Sequence, residues 1–303
     1  MDEELDLDVL HTAQGVMLNM LKEVDRVCRE HNIPYWLDHG TLLGAVRHQK
    51  FIPWDDDLDI SMLRGDYEKF LNVAPQSLSK DLFLQNYDTD REFTYPFTRI
   101  RDNNSLLIGV EEVGAQIGYH QGIFMDIFPV EKLSARKWVR YFWRSVVFKK
   151  LYLLCGMITK YRQRNMQYPF YRYFIKNTRM LLITKIFGAL RFPNNRTAAA
   201  IGQKLRKFAT VKDQQTEQFV LGYGLEIPNS KTHAYDTIFP LQQIPFEDGI
   251  FFTPHDCDRF LRTLYGDTYM QLPAEKERRP HHAAQIIPYF KRTKKQPEKI
   301  SIT

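Results

Sequence analysis

The sequence predicts an α+β fold, a mixed β-sheet flanked by helices, with a basic helical insertion in its second half. Three observations lead there. A helical period opens the chain, short β-rich runs separated by Asp, Asn and Gly follow it, and a long stretch without acids then breaks the pattern. With 303 residues, 44% hydrophobic and 14% aromatic, the chain can bury one large core or two small ones.

Leu10, Ala13, Met17, Leu21, Val24 and Cys28 recur at spacings of three and four, so residues 7–31 form an amphipathic helix that Asn32-Ile33-Pro34 ends. Next come a short strand in "YWLD", a helix opening at Gly40-Thr41, a loop ending at Pro53 and a strand in "DLDISM". A helix over "GDYEKFLNVA" precedes three β-rich runs, "LFLQNY", "YPFTRIR" and "GIFMDIF". Two helices are expected in the insertion, "RKWVRYFWRSVVFKKLYLLCGMITKYRQR" and "YPFYRYFIKNTRMLLITKIFGALR". Late in the chain, "FEDGIFFTPHDCDRFLRTLYGDTYMQLP" reads as a hairpin, a helix and a proline stop. The expected division is a catalytic core of residues 1–131 and 213–290, an insertion over 132–212, and a disordered tail over 291–303.

Net charge is +6, unevenly spread. Between Lys132 and Lys212 there are twenty Lys or Arg and no Asp or Glu, and the remaining residues sum to −14. Such a cationic, aromatic-rich segment attracts phosphate polymers or anionic head groups, and the expectation is an anionic membrane surface touched through 132–212. The acidic start "MDEELDLDVL" is unlike a secretory signal, and the uncharged run "LYLLCGMIT" is half of what a bilayer crossing needs. The expected location is therefore cytoplasmic, peripheral on the inner face of the cell membrane. Cys28, Cys155 and Cys257 lie far apart, as buried thiols do rather than a disulfide frame or a zinc site.

The chemistry concentrates in "DHGTLLGAVRHQKFIPWDDDLDISM", where four aspartates fall within five positions. In a strand Asp57 and Asp59 share one face while Leu58 and Ile60 take the other. Paired carboxylates stay ionised if a cation lies between them, and hard oxygen ligands suit Mg2+ or Mn2+ with phosphate and water completing the shell. A calcium loop would place Gly where Ile60 stands. N-capping accounts for Asp55 or Asp56 but not the set. Gly40-Thr41 at a helix start suits a phosphate: no Cβ at Gly40, a hydroxyl at Thr41, and a helix amino end that favours anions. Asp126, set between Met125 and Ile127 in "GIFMDIFP", is the third carboxylate, either a metal ligand or the base for an attacking hydroxyl.

"GTLLGAVRHQKFIPWDDDLDI", "GIFMDIFP", "LYGDTYMQLP" and the following "RRPHH" resemble the LicD family, bacterial phosphocholine transferases related to fukutin and fukutin-related protein. The resemblance covers about residues 7 to 130 and 220 to 285 and leaves out the basic middle. It implies a nucleotidyltransferase-type fold and a CDP-choline donor, with phosphocholine moved to a hydroxyl of a glycan or lipid-linked glycan precursor and CMP released. By motif position it places the metal pair at Asp57 and Asp59 and the phosphate-facing turn at Gly40-Thr41.

For donor contacts the expected residues are Arg47, Lys50, Trp54 and His282, with Arg99, Arg101, Arg278, Arg279 and His281 as further basic candidates. A quaternary ammonium needs aromatic faces, for which Trp36, Trp54 and Tyr119 are the nearest in sequence. Other donors, CDP-ribitol, CDP-glycerol or an NTP, stay open. So does a nucleic-acid-binding role for the basic helices, which would leave the aspartates unexplained.

Overall fold

The computed structural model describes residues 6–149, 151, 195–211 and 218–289, apart from 91, 94, 115, 116 and 228. The second expected basic helix, the latter half of the first, Cys155 and the tail lie outside the described residues. Helix α1 (Leu7–Glu30) buries its three-and-four stripe from Leu10 to Cys28 and starts at Asp6, whose carboxylate accepts the Asp8 amide. After β1 (Trp36–Leu37), Asp38 caps α2 (His39–His48). The helix therefore begins one residue before the Gly40-Thr41 pair, because Asp38 accepts the His39 amide and stops the extended chain there.

Strand β2 (Asp59–Leu63) begins at Asp59, so Asp57 lies in the extended approach to the strand and not inside it. Helix α3 (Arg64–Ser77) leads to β3 (Leu82–Gln85), β4 (Thr98–Asp102), β5 (Leu106–Gly109) and the long β6 (Phe124–Ser134). A short helix α4 (Lys137–Tyr141) and a π-helical turn, Phe142–Phe148, open the basic segment, which returns as α5 (Asn195–Ala209). Strands β7 (Phe219–Tyr223) and β8 (Thr232–His233), helix α6 (Tyr235–Ile238), the hairpin β9 (Gln242–Phe246) and β10 (Gly249–Thr253), helix α7 (Cys257–Tyr265) and β11 (Ala283–Ile287) complete it.

The principal sheet is mixed and runs β1-β2-β6-β4-β3, with β7 and then β8 added on β6. β2 and β6 are parallel; the other pairs are antiparallel. On one face Ile60, Ile100, Met125 and Ile127 are buried under α1 and α3. Alternation then obliges Asp59, Asp126, Arg99 and Arg101 to share the other face. β6 crosses the expected boundary at 131/132 and carries the core sheet into the segment counted as insertion. No described helix is long and apolar enough to cross a membrane.

Candidate active site

The polar face of the sheet opens into a cleft of about 660 Å³. Its acidic end is built from β2, β6 and the loop before β2. Asp59 and Asp126 are direct partners in the parallel ladder, and Asp57 reaches the same cleft from the loop. That loop is pinned from two sides. Gln14 of α1 donates to the carbonyls of Ile52 and Asp55 at 3.2 and 2.9 Å, and Asp56, 1% exposed, accepts the amides of His281, His282 and Ala283. The late "RRPHH" segment is thereby folded onto the aspartates, and His282 Nε2 reaches Asp57 Oδ2 at 3.0 Å. Gly40 lines the cleft where its missing Cβ matters: a methyl there would lie 2.6 Å from Asp55 Oδ2.

Thr41 does something other than face a phosphate. Its hydroxyl, 1% exposed, accepts the backbone amide of Asp59 at 2.8 Å and so fixes the first residue of β2. Asp38, fully buried, accepts from Ser61 and Tyr223 hydroxyls as well as from the His39 amide, which ties α2, β2 and β7 together. His39, unforeseen as a site residue although it stands inside the motif, lines the cleft with a left-handed backbone (φ 42°). Its ring packs on Phe128 and Tyr223, and Nδ1 lies 3.8 Å from Asp59 Oδ2.

The electrostatics are those of charge held for a ligand. Burial, then the neighbouring Asp57, pushes the Asp55 carboxyl well above the usual range; burial, then Asp57, Asp126 and Asp38, does the same to Asp59. Burial pushes Asp57 up most strongly, but the hydrogen bond and charge of His282, with Asp55 and His39, together outweigh it and hold Asp57 below the usual value. In return, Asp57 raises His282 to about 9, so its ring is the positive charge at this end. Asp55 Oδ2 and Asp59 Oδ1 are buried without a hydrogen-bond partner. Among the described residues no group of three or more His, Cys, Asp or Glu is already arranged as a metal cage. The residues fit a divalent cation gripped by two carboxylates and completed by phosphate oxygens and water, which satisfies the orphaned oxygens and relieves the repulsion.

Asp126 is differently placed. Arg99 Nε and Nη2 donate to its two oxygens at 2.6 and 3.1 Å, and the guanidinium lies over the rings of Phe124 and Tyr95 at 3.8 and 4.1 Å. Burial pushes the Asp126 carboxyl up against the opposing pull of Arg99. Beyond this pair the cleft continues to Arg101, where Phe97, Leu107, Glu111 and Glu112 also line it.

Of the expected donor contacts, Gly40 and His282 line the cleft with the three aspartates, as do Arg99, Arg101 and His281. Arg47 instead donates to the carbonyls of Tyr269 and Gln271, holding the segment after α7. Lys50 is exposed beside a separate hollow with His11 and Glu247. Trp54 packs on the core with Arg278 over its ring, and Trp36 is fully buried, its ring edge-on to Phe239. Tyr119 spends its hydroxyl on Glu112 at 2.6 Å. The aromatic residues that do line the cleft are Tyr95, Phe97, Phe124, Phe128 and Tyr265, brought from the approach to β4, from β6 and from the end of α7.

Comparison with known proteins agrees with this architecture. The family model described as LicD/FKTN/FKRP, nucleotidyltransferase domain, matches residues 32–169. The lipopolysaccharide cholinephosphotransferase LicD of Haemophilus influenzae is 26% identical over 288 residues, 90% of this chain and 96% of that protein. The ribitol 5-phosphate transferase FKRP of human and mouse is 42% identical over 53 residues, 16% of this chain and 11% of theirs. An uncharacterized Rickettsia typhi protein is 45% identical over 60 residues, 20% of this chain and 19% of its own length. The chain thus spans nearly all of the Haemophilus protein and under a quarter of the others. The aspartate motif, "MDIFP" and the late histidine loop gather at one cleft, and the first two lie within residues 32–169, the part of the chain that matches the LicD family model.

Proposed function

We propose that this cleft transfers a phosphoalcohol, phosphocholine first among the candidates, from a CDP-activated donor to a hydroxyl of a glycan or lipid-linked glycan precursor. The observation that carries the reading is the acidic end of the cleft, where Asp57 and Asp59 converge beside buried, unpartnered carboxylate oxygens. The name of the Haemophilus relative supports choline as the alcohol. Asp57 and Asp59 would hold Mg2+ or Mn2+, which when bound neutralises the diphosphate and the charge left on the departing oxygen. The remaining work falls to the protein. His282 and the amino end of α2 hold the phosphates, and Gly40 leaves the space for them. Asp126, kept in place by Arg99 and made more basic by burial, accepts the proton of the attacking hydroxyl. The acceptor oxygen bonds to the phosphorus bearing the alcohol, the bond to the bridging oxygen breaks, and CMP departs.

A second reading, ribitol phosphate as the group moved, is favoured by the FKRP match over 53 residues. The protein with Mg2+ and glycolipid acceptors, offered CDP-choline, CDP-ribitol and CDP-glycerol in turn, separates the two by product mass. CMP release from none of them rejects both. Asp57→Asn and Asp59→Asn should each abolish transfer with the fold intact. The same reading puts the enzyme at the cytoplasmic membrane surface, where Trp138 and Tyr141, 69% and 66% exposed, stand beside Lys137 and Arg140. Flotation with anionic vesicles tests this; binding that ignores salt and lipid charge contradicts it.

A further inference from the structure

Among the described residues Arg101 makes no ion pair. Its side chain lines the cleft from β4, yet the residue is 1% exposed. Nε donates to Gln85 Oε1 and Nη1 to the Gly122 carbonyl, both at 2.7 Å and both neutral acceptors. Nη2 is buried and donates to nothing. The acidic groups that act on it are already engaged. Glu112 accepts from the Gly109 amide, the Tyr119 hydroxyl and Gln121 Nε2, and Asp126 is taken by Arg99. Burial and the adjacent Arg99 push the guanidinium down to about 10. A bridge between Gln85 and Gly122 needs two N–H groups and no charge, whereas a buried charge left unpaired is destabilising. The arrangement is one that an incoming oxyanion completes.

The sheet order says which oxyanion. β4 lies two strands from β2, about 10 Å across the sheet, and Gln85 on β3 draws the guanidinium further from Asp57 and Asp59. A donor diphosphate held at those aspartates does not span that separation. We propose that Arg101 binds a phosphate group carried by the acceptor, so that the substrate is an already anionic glycan. The word acceptor rests on the transfer reading above; the oxyanion site itself does not.

The test uses the full chain in EDTA, titrated with inorganic phosphate and followed by thermal unfolding. Wild type should be stabilised by phosphate, and Arg101→Gln should fold without loss of stability and need about tenfold more phosphate, or more, for the same shift. Equal responses, or no response in wild type, would each overturn the site. If Arg101→Gln does not fold, Arg101→Lys decides: a weakened response supports the fork geometry and an unchanged one rejects it. A second arm measures CDP-choline binding with Mg2+. Unchanged donor affinity in Arg101→Gln keeps the phosphate on the acceptor, and a loss assigns Arg101 to the donor and overturns that step. Phosphate binding with no turnover of any CDP donor would remove the transfer reading and leave the site; turnover without phosphate binding does the opposite.

Discussion

Replacing Thr41 by Val separates two roles that its place in the motif leaves open. Valine matches threonine in shape but removes the hydroxyl that accepts the Asp59 amide at 2.8 Å in a fully buried setting. The amide then has no acceptor, which costs about 1–3 kcal/mol, and 2 kcal/mol is a factor of about 30 in the unfolding equilibrium. Because that amide opens β2, the Asp59 carboxylate shifts with it and turnover falls alongside stability. Thr41→Ser keeps the oxygen and should recover both. Urea unfolding measured beside CMP release gives the answer. If Thr41→Val is as stable as wild type and only the KM for the donor rises, the hydroxyl serves a phosphate and the positioning argument fails.

His233 is buried against Phe260, centroids 4.0 Å apart, with neither ring nitrogen partnered, and burial pushes it down to about 4. Its folded value lies below the ordinary 6.5, so the unfolded chain takes up the proton first and stability drains away as pH falls from about 6.5 to 4, by about 3 kcal/mol in full. His233→Phe should flatten the urea midpoint across that window; an unchanged slope assigns it to other groups. Gly40→Ala forces the Asp55 carboxylate aside from a 2.6 Å overlap and should lower turnover by about 100-fold, measurable as CMP release, while ordinary turnover would deny the close approach. Arg206→Met in α5 leaves Glu131 and Glu226, both buried, sharing Arg64 alone; chemical unfolding should show a loss of about 3–5 kcal/mol, and no loss would mean that α5 is not tied to the sheet by charge.

What the sequence disclosed follows from the range of the forces involved. α1, the hairpin β9-β10 and α7 were legible because a periodic apolar stripe and its stop signals are local. β5 was missed: four residues, mostly half-buried, paired with β11 far later in the chain (Gly109 with Ala283, Leu106 with Ile287), leave no local period to read. The aspartates were legible because no ordinary fold needs so many in a row. Their partners were not. Lys50 flanks the motif yet points to another hollow, since α2 turns it away, while His282, 225 residues beyond Asp57, arrives through Asp56 and three backbone amides. Arg99 and Arg101 were visible as alternating basic residues, but only the β4-β6 register shows that one has a carboxylate opposite and the other a phenylalanine.

That register has a consequence for the whole cleft. Moving across the sheet, β2 brings Asp59, β6 brings Asp126, and β4 brings Arg99 and Arg101, so the floor passes from negative through paired to positive. The central pair screens the two ends from each other: without Arg99, Asp126 would join the repelling carboxylates, and without Asp126, Arg99 would join the unpaired Arg101. Among the described residues each end keeps a buried polar atom without a partner, and on the proposals above the two would take opposite ligands, a cation with its diphosphate at one and an oxyanion at the other. A neutral acceptor would fill the volume and leave the cationic end unpaired. On the acceptor proposal above, the polarity of the floor would select by charge, and replacing Arg101 on β4 should change which acceptor is used while leaving the chemistry at β2 alone.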